Sequence, residues 1–452
     1  MRIDVLVAEI GSTTTVINAF NGIGTPCPEF IGQGQAPTSV LDGDVTVGLR
    51  GAIDDLKRSL KIDDIEYEEM LATSSAAGGL RMTVHGLVYD MTVRAAKEAA
   101  LGAGGIIKTV TAGKLRRTDL KNIKEINPNI ILIAGGVDYG ERDTALFNVE
   151  QVASLNLNVP IIYAGNIENC DEVKIICEEK DIKLYIVDNV YPRIDFLNIE
   201  PTRKVIQDAF EEHIIHAPGM STVRDMINGP IIPTPGAVME AARLLKEDIG
   251  DLVMFDVGGA TTDVHSVTEG SEEIGNILIS PEPYAKRTVE GDLGVFVNIN
   301  HIVDKIGLKE LKKEFPNAEE LVKNTKAIPS TEEEKSFIER LAKEAVLISM
   351  ERHAGTLRDI YGPTGKKTIA EGKDLTNIKY VIGTGGALTR LPNRVNILKN
   401  VTSQVKGLKL YPHAEAKVLI DNNYIFASLG VLSKKYPQEA LFLMKKSLNY
   451  SE

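Results

Sequence analysis

From Ile3 to Ile10 the chain is apolar at every position except Asp4 and Glu9, and the run ends in Gly11. A second, β-branched run follows from Thr13 to Phe20, so the two read as a hairpin about a glycine bend. Phosphate-binding turns commonly sit at such bends. From about Asp44 to Leu60 the apolar spacing is helical, and Met70 to Ser74 reads as a short buried strand. Between roughly Leu80 and Asp188 strand and helix patterns alternate, with strands predicted near Gly105 to Thr111, Ile130 to Ala134, Pro160 to Ala164 and Lys183 to Val187. Alternation at this spacing predicts βαβ units on a parallel sheet. Two loops, AGGVDYGERD from Ala134 and AGNIENCDE from Ala164, fall at strand ends where such sheets bind ligands. Glycine is also ordinary turn punctuation, so a plain connecting role stays open.

Residues from Pro201 to Asp248 read as helical, with interruptions at APGMS (from Ala217) and GPIIPTPGA (from Gly229). Thr234 and Pro235 form an N-cap and first-turn pair for a helix running to Lys246. A second series of strands is predicted at Leu252 to Asp256, Thr262 to Val267 and Asn276 to Ser280. The similar openings at residues 3 and 252 point to a duplicated lobe. The expected α/β organisation is a first lobe beginning at 1–79, an inserted α/β region at 80–200, a helical connection at 201–248 and a second lobe at 249–452.

A chain of 452 residues exceeds one ordinary core. With 43% hydrophobic and 25% charged residues it has the balance of a globular protein rather than a disordered one. Its 51 basic and 63 acidic residues give a net charge of -12, and no basic run offsets it, which argues against nucleic acid as a partner. Cys27, Cys170 and Cys177 form neither a CxxC pair nor an even-numbered framework, as expected in a reducing compartment. The opening run is broken by two carboxylates, unlike a signal-peptide core, and no stretch reaches the roughly 18 to 20 apolar residues of a membrane span. A cytoplasmic protein with no membrane partner is expected.

The most specific chemistry lies in FDVGGATTDV, Phe255 to Val264, where an apolar strand enters a glycine turn and returns through β-branched residues. Gly258 and Gly259 let the backbone approach a phosphate, and N–H groups of the turn supply donors. Thr261 and Thr262 add hydroxyls. Asp256 at the strand end suits hydrated magnesium or a water, with Asp263 as a further metal candidate. The opening turn repeats the order, with Glu9 followed by Gly11, Ser12, Thr13 and Thr14, so that two facing turns would clamp a triphosphate between lobes. A third element, Tyr380 to Leu388, places Gly383, Thr384, Gly385 and Gly386 at a strand end, a side-chain-poor surface for an adenosine ring.

In this order EIGSTTT, FDVGGATTDV and VIGTGGALT resemble the two phosphate motifs and the adenosine motif of the superfamily containing actin, Hsp70 and the sugar kinases. The resemblance implies two actin-like (ribonuclease H-like) lobes, with ATP or ADP and Mg2+ as ligands. Thr288 to Gly294 resembles the superfamily's acidic loop that starts a nucleotide-contacting helix, which implicates Glu290 and Asp292. Glu9 stands where the superfamily usually has aspartate. Its extra methylene suits a water-mediated magnesium contact better than an in-line catalytic one, so slow hydrolysis is expected. Over nearly its full length the chain is most similar to the glutamate mutase L (MutL/GlmL) family, through AEIGSTTT, AGGVD, YAGN, IIPTPGAVM, FDVGGATTDVHSV, RTVEGDLGV and the helix containing Glu351 to Gly355. That resemblance implies an ATP-driven reactivating chaperone for an adenosylcobalamin-dependent mutase or aminomutase, with Asp256 and Glu9 as catalytic candidates.

The stretch from Asp256 to Asp263 also resembles the DxGGxxTD motif of hydantoinase A-type amidohydrolases. A small-molecule kinase, with Asp256, Asp263 or Asp292 as general base, is a third reading, and a binding module with a dead ATPase is a fourth. Asp263-Val264-His265 begins like the DxHxxG cobalamin signature, but Thr268 replaces its glycine. His265 is therefore read as an ordinary strand residue, and cobalamin is expected on the partner, not on this chain. His213 and His216 lie three apart on a predicted helix but lack an HExxH arrangement, and are read as solvated or capping residues. For Arg352 and His353, contact with nucleotide or mutase and plain packing both stay open.

Overall fold

In the computed structural model, which describes residues 1–11, 14–39, 44–75, 80–214, 224, 226–229, 231–363, 365–403 and 407–451, the chain divides into two units. The first comprises Met1–Ala19 and Ile31–Ala237, the second Phe20–Phe30 and Val238–Glu452. Ser12, Thr13 and His216, together with the side chain of His213, lie outside the described residues.

The opening apolar run forms β1 (Arg2–Ile10), and the β-branched run forms β2 (Thr14–Asn21). Their three-residue connection is too short for a parallel crossover. With β3 (Glu29–Pro37), β4 (Glu66–Ser74) and β10 (Ile231–Pro233) they build a sheet of order β10-β4-β1-β2-β3. Strand β4 runs parallel to both β1 and β10. The GPIIPTPGA stretch, expected only to interrupt helices, thus supplies the sheet's edge: Ile231 and Ile232 are buried, and the helix Thr234–Ile249 starts directly after them.

The alternating region forms a second sheet in the same unit from β5 (Arg81–Gly86), β6 (Ile106–Ala112), β7 (Ile130–Ile133), β8 (Ile161–Tyr163) and β9 (Leu184–Ile186). Its order is β6-β5-β7-β8-β9 and every pairing is parallel. Along β7, Ile130 and Leu132 join one core while Ile131 and Ile133 join another on the opposite face. Burial of both faces explains why the strand reads as unbroken apolar sequence. The AGGVDYGERD and AGNIENCDE loops at the ends of β7 and β8 are tied together. Asp138 Oδ1 accepts from Ile167 N–H and from Asn189 Nδ2, each at 3.0 Å, and Asn166 Oδ1 accepts from Tyr139 N–H at 3.1 Å.

The second unit repeats the first sheet. It contains β11 (Leu252–Val257), β12 (Thr262–Val267), β13 (Ala285–Glu290), β16 (Tyr380–Thr384) and β17 (Lys417–Ile420), in the order β13-β12-β11-β16-β17. Strands β11, β12 and β13 are antiparallel in turn, whereas β11, β16 and β17 are parallel. The two sheets therefore share one order, with β1 and β11 at equivalent central places. This is the duplicated arrangement of the actin-like fold. A separate hairpin, β14 (Thr356–Gly362) and β15 (Gly365–Glu371), was not anticipated. The third strand of the second sheet is β13, not Asn276–Ser280. The Ser271 hydroxyl accepts from Ile274 N–H and starts a helical turn at Glu272–Gly275, which leaves only a single bridge at Leu278. Among the described residues no helix is long and apolar enough to cross a membrane.

Candidate functional site

Glu9 is the penultimate residue of β1, and Asp256 is the penultimate residue of β11. A glycine follows each strand, and each makes the same bond: Gly11 N–H donates to the Thr14 carbonyl at 2.9 Å, Gly258 N–H to the Thr261 carbonyl at 3.0 Å. A Cβ on Gly11 would stand 2.6 Å from the Thr14 carbonyl oxygen, so the first turn refuses a side chain there. The Gly11 carbonyl is turned back to accept from the Thr38 hydroxyl at 2.8 Å. Glu9 is 8% exposed and in register with Thr73 of β4.

In the second unit Asp256 is half-buried, although the four residues before it are fully buried. It lies in register with Asp263 on β12 and Thr384 on β16. Three side chains expected at the ligand are turned into the protein instead. Asp263 Oδ1 accepts from Arg287 Nε at 2.7 Å, and its Oδ2 accepts from the Thr261 hydroxyl at 3.1 Å. The Thr262 hydroxyl donates to the Leu293 carbonyl at 2.7 Å. The Thr384 hydroxyl donates at 2.9 Å to Asp421, a carboxylate whose pKa burial pushes up. Each is a buried polar group that needs a partner, and the fold supplies one.

The glycines of VIGTGGALT have separate reasons. Gly383 is buried, and a Cβ there would meet Leu398 at 2.7 Å. Gly385 has φ +83°, and its Cβ would lie 2.4 Å from Asp256 Oδ1 and 2.7 Å from the Val257 backbone. Gly386 alone opens onto free space. The third motif therefore backs the Asp256 carboxylate, a juxtaposition that sequence reading did not anticipate. Gly385→Ala is expected to destabilise the protein by about 1–3 kcal/mol, read as a lowered melting temperature, because it joins left-handed strain to a backbone clash.

Glu290 ends β13, and Asp292 follows in the next turn. Arg352 Nη1 donates to Glu290 Oε2 and, at 2.7 Å, to Asp292 Oδ1, while its Nη2 donates to Asp292 Oδ2 at 2.9 Å. Lys305 approaches the same carboxylate at 3.4 Å. Desolvation pushes the Glu290 pKa up, whereas the Arg352 bonds hold that of Asp292 well below the usual carboxylate range. The acidic loop is thus charge-compensated by its own fold. The helix expected to start at this loop begins later, at Ile299. His353 is buried between the Thr288 and Ser266 hydroxyls, at 2.9 and 2.7 Å, which settles its packing role. His265 is fully buried within β12, and desolvation holds its pKa well below the usual value.

Among the described residues no three His, Cys, Asp or Glu side chains gather into a metal cage. Magnesium asks for less, since it keeps waters and binds through one or two carboxylates plus substrate phosphates. A half-buried aspartate at a strand end beside a glycine turn meets that requirement.

The family model described as MutL protein matches residues 5–448. The relative Protein MutL of Clostridium tetanomorphum is 37% identical over 463 residues, covering 98% of each chain. Among solved structures, nucleotide-free acetone carboxylase is 12% identical, with 95% of this chain and 70% of that one covered and a TM-score of 0.43. The nucleotide-free diol dehydratase-reactivating factor is 12% identical, with 97% and 100% covered and a TM-score of 0.37. A glycerol dehydratase reactivase is 11% identical, with 95% and 99% covered and a TM-score of 0.35. The chain belongs to the MutL family.

Proposed function

We propose that the protein is a cytoplasmic, ATP-driven reactivating chaperone for an adenosylcobalamin-dependent mutase or aminomutase. The observation that carries the nucleotide half of this reading is the recurrence of one turn, an acidic strand end followed by a glycine bonded to a threonine carbonyl, in two sheets of one order. Membership of the MutL family supports the partner.

Bound ATP with magnesium supplies the transferable phosphoryl group and a cation that neutralises its charge. Asp256 would hold the hydrated cation and orient water, and Glu9, at the same place in the first turn, is the second candidate for that role. Ser12, Thr13 and Thr14 of the first turn, and the N–H groups of Gly259, Ala260 and Thr261 of the second, would serve phosphate oxygens, with Gly11 and Gly258 shaping the bends through their own internal bonds. Gly386 would border the adenosine. Asp263 keeps its turn in place through Arg287 and Thr261. Glu290 and Asp292 would border the nucleotide, with their charge balanced by Arg352 and Lys305. Cobalamin stays with the mutase. ATP can open the mutase to release damaged cofactor only if the ATP and ADP states bind it with different affinities.

The test is phosphate release from ATP with magnesium, alone and with a cobalamin-inactivated aminomutase or glutamate mutase. Slow release that rises several-fold with the inactive mutase is expected. ATP that binds but is never hydrolysed under these conditions would leave the chaperone without an engine and sink the proposal.

A further inference from the structure

Asn298 directly precedes the helix Ile299–Ile306, the position where asparagine ordinarily caps a helix, yet its side chain makes no capping bond. Its Nδ2 points backward instead, donating to the Ala260 carbonyl at 2.8 Å and the Gly291 carbonyl at 2.7 Å. The residues just before it hold the rest of the phosphate turn. Val295 N–H donates to the Gly258 carbonyl at 3.2 Å, and Phe296 and Val297 N–H donate to the Gly259 carbonyl at 2.9 and 2.7 Å. Gly294 lets this strap lie close, since a Cβ there would stand 2.3 Å from the Ala260 carbonyl.

A trans peptide is planar, with its C=O and N–H pointing opposite ways, so pinning a carbonyl aims the N–H of the following residue. Holding the carbonyls of Gly258, Gly259 and Ala260 therefore aims the N–H groups of Gly259, Ala260 and Thr261 away from the strap. None of these three N–H groups donates to a protein acceptor among the described residues. Two of the three peptides are pinned by backbone groups. The third, which aims Thr261 N–H, is pinned by the Asn298 side chain. The same amide ties the turn to the loop between Glu290 and Asp292.

Building on the reading of this turn as a phosphate site, we propose that Asn298 is a positioning residue for phosphate binding. It gives up its helix cap to orient a donor for the nucleotide's phosphates.

The test titrates ATP with magnesium, ADP and adenosine into the full chain by calorimetry. Asn298→Ala is expected to weaken ATP and ADP about tenfold, the worth of one aimed donor to a charged acceptor, with adenosine affinity unchanged. A purely structural role would lower the melting temperature and weaken all three ligands alike. Equal ATP affinity in variant and wild type overturns the inference while nucleotide binding stands, whereas a wild type that binds no ATP overturns both. If the alanine variant does not fold, Asn298→Asp takes the same measurement. It keeps the side-chain shape but lacks the donor, a still larger loss for ATP is expected, and unchanged ATP affinity overturns the inference.

Discussion

Asp256→Ala is expected to cut phosphate release from ATP with magnesium by roughly 10²–10³-fold, the usual effect of removing one preorganised electrostatic group from a reacting centre. The expectation rests on position. Asp256 is half-buried where its strand neighbours are fully buried, and the glycine at 385 brings backbone close to its carboxylate. A half-buried group packed against backbone has less freedom to reorganise than one in bulk solvent. Because its role is assigned through magnesium, chelation should lower the ATP affinity of the wild type by more than that of the variant. The Asp256→Asn variant separates shape from charge: it keeps the contacts near Gly385 but should lose phosphate release almost as fully as alanine. Unchanged phosphate release in Asp256→Ala would transfer the water-orienting role elsewhere and leave Asp256 a packing residue.

Removing the neighbouring carboxylate should act quite differently. Asp263→Ala is expected to destabilise the second unit by about 3–5 kcal/mol, because it strips a paired carboxylate from a buried guanidinium. Arg287 is 2% exposed, and its Nε and Nη2 lie 2.7 and 2.6 Å from Asp263 Oδ1. For a unit of this size that loss corresponds to a fall in melting temperature of roughly 6–20 °C. The double variant Asp263→Leu with Arg287→Met should regain much of it, since buried ion pairs can be replaced by well-packed apolar residues of similar volume. The measurement also separates two roles for Asp263. A metal ligand would lose magnesium affinity with little change in the melting temperature of the free protein, whereas the strut described here loses its melting temperature without metal.

Much of the candidate site was legible because its signals are local. An apolar strand, an acidic residue, a glycine and a return through threonine lie within one hairpin, and the physics that selects them acts over a few residues. Hence the strand-end places of Glu9 and Asp256 and the glycine bends at Gly11 and Gly258 were legible by pattern, as were four of the five parallel strands between Leu80 and Asp188. The directions of side chains at the same turns were not legible. Thr262 meets Leu293 thirty-one residues on, Asp263 meets Arg287 after twenty-four, and Thr384 meets Asp421 after thirty-seven. Asn298 carried no local signal of its role: it directly precedes a helix, where asparagine ordinarily caps, and the structure uses its side chain elsewhere.

By itself the sequence determined the strands that flank the two glycine bends and most of the parallel strands between Leu80 and Asp188, and that Glu9 and Asp256 end strands, since backbone conformation and burial period there are set by neighbouring residues. It did not mark β10, β13 or the β14–β15 hairpin. Only the tertiary structure decided the shared order of the two sheets, the placement of Gly385 against Asp256, and which polar groups serve the fold rather than a ligand. Those outcomes depend on strands that pair across long stretches of chain, and a buried donor or acceptor takes whichever partner that pairing brings within reach.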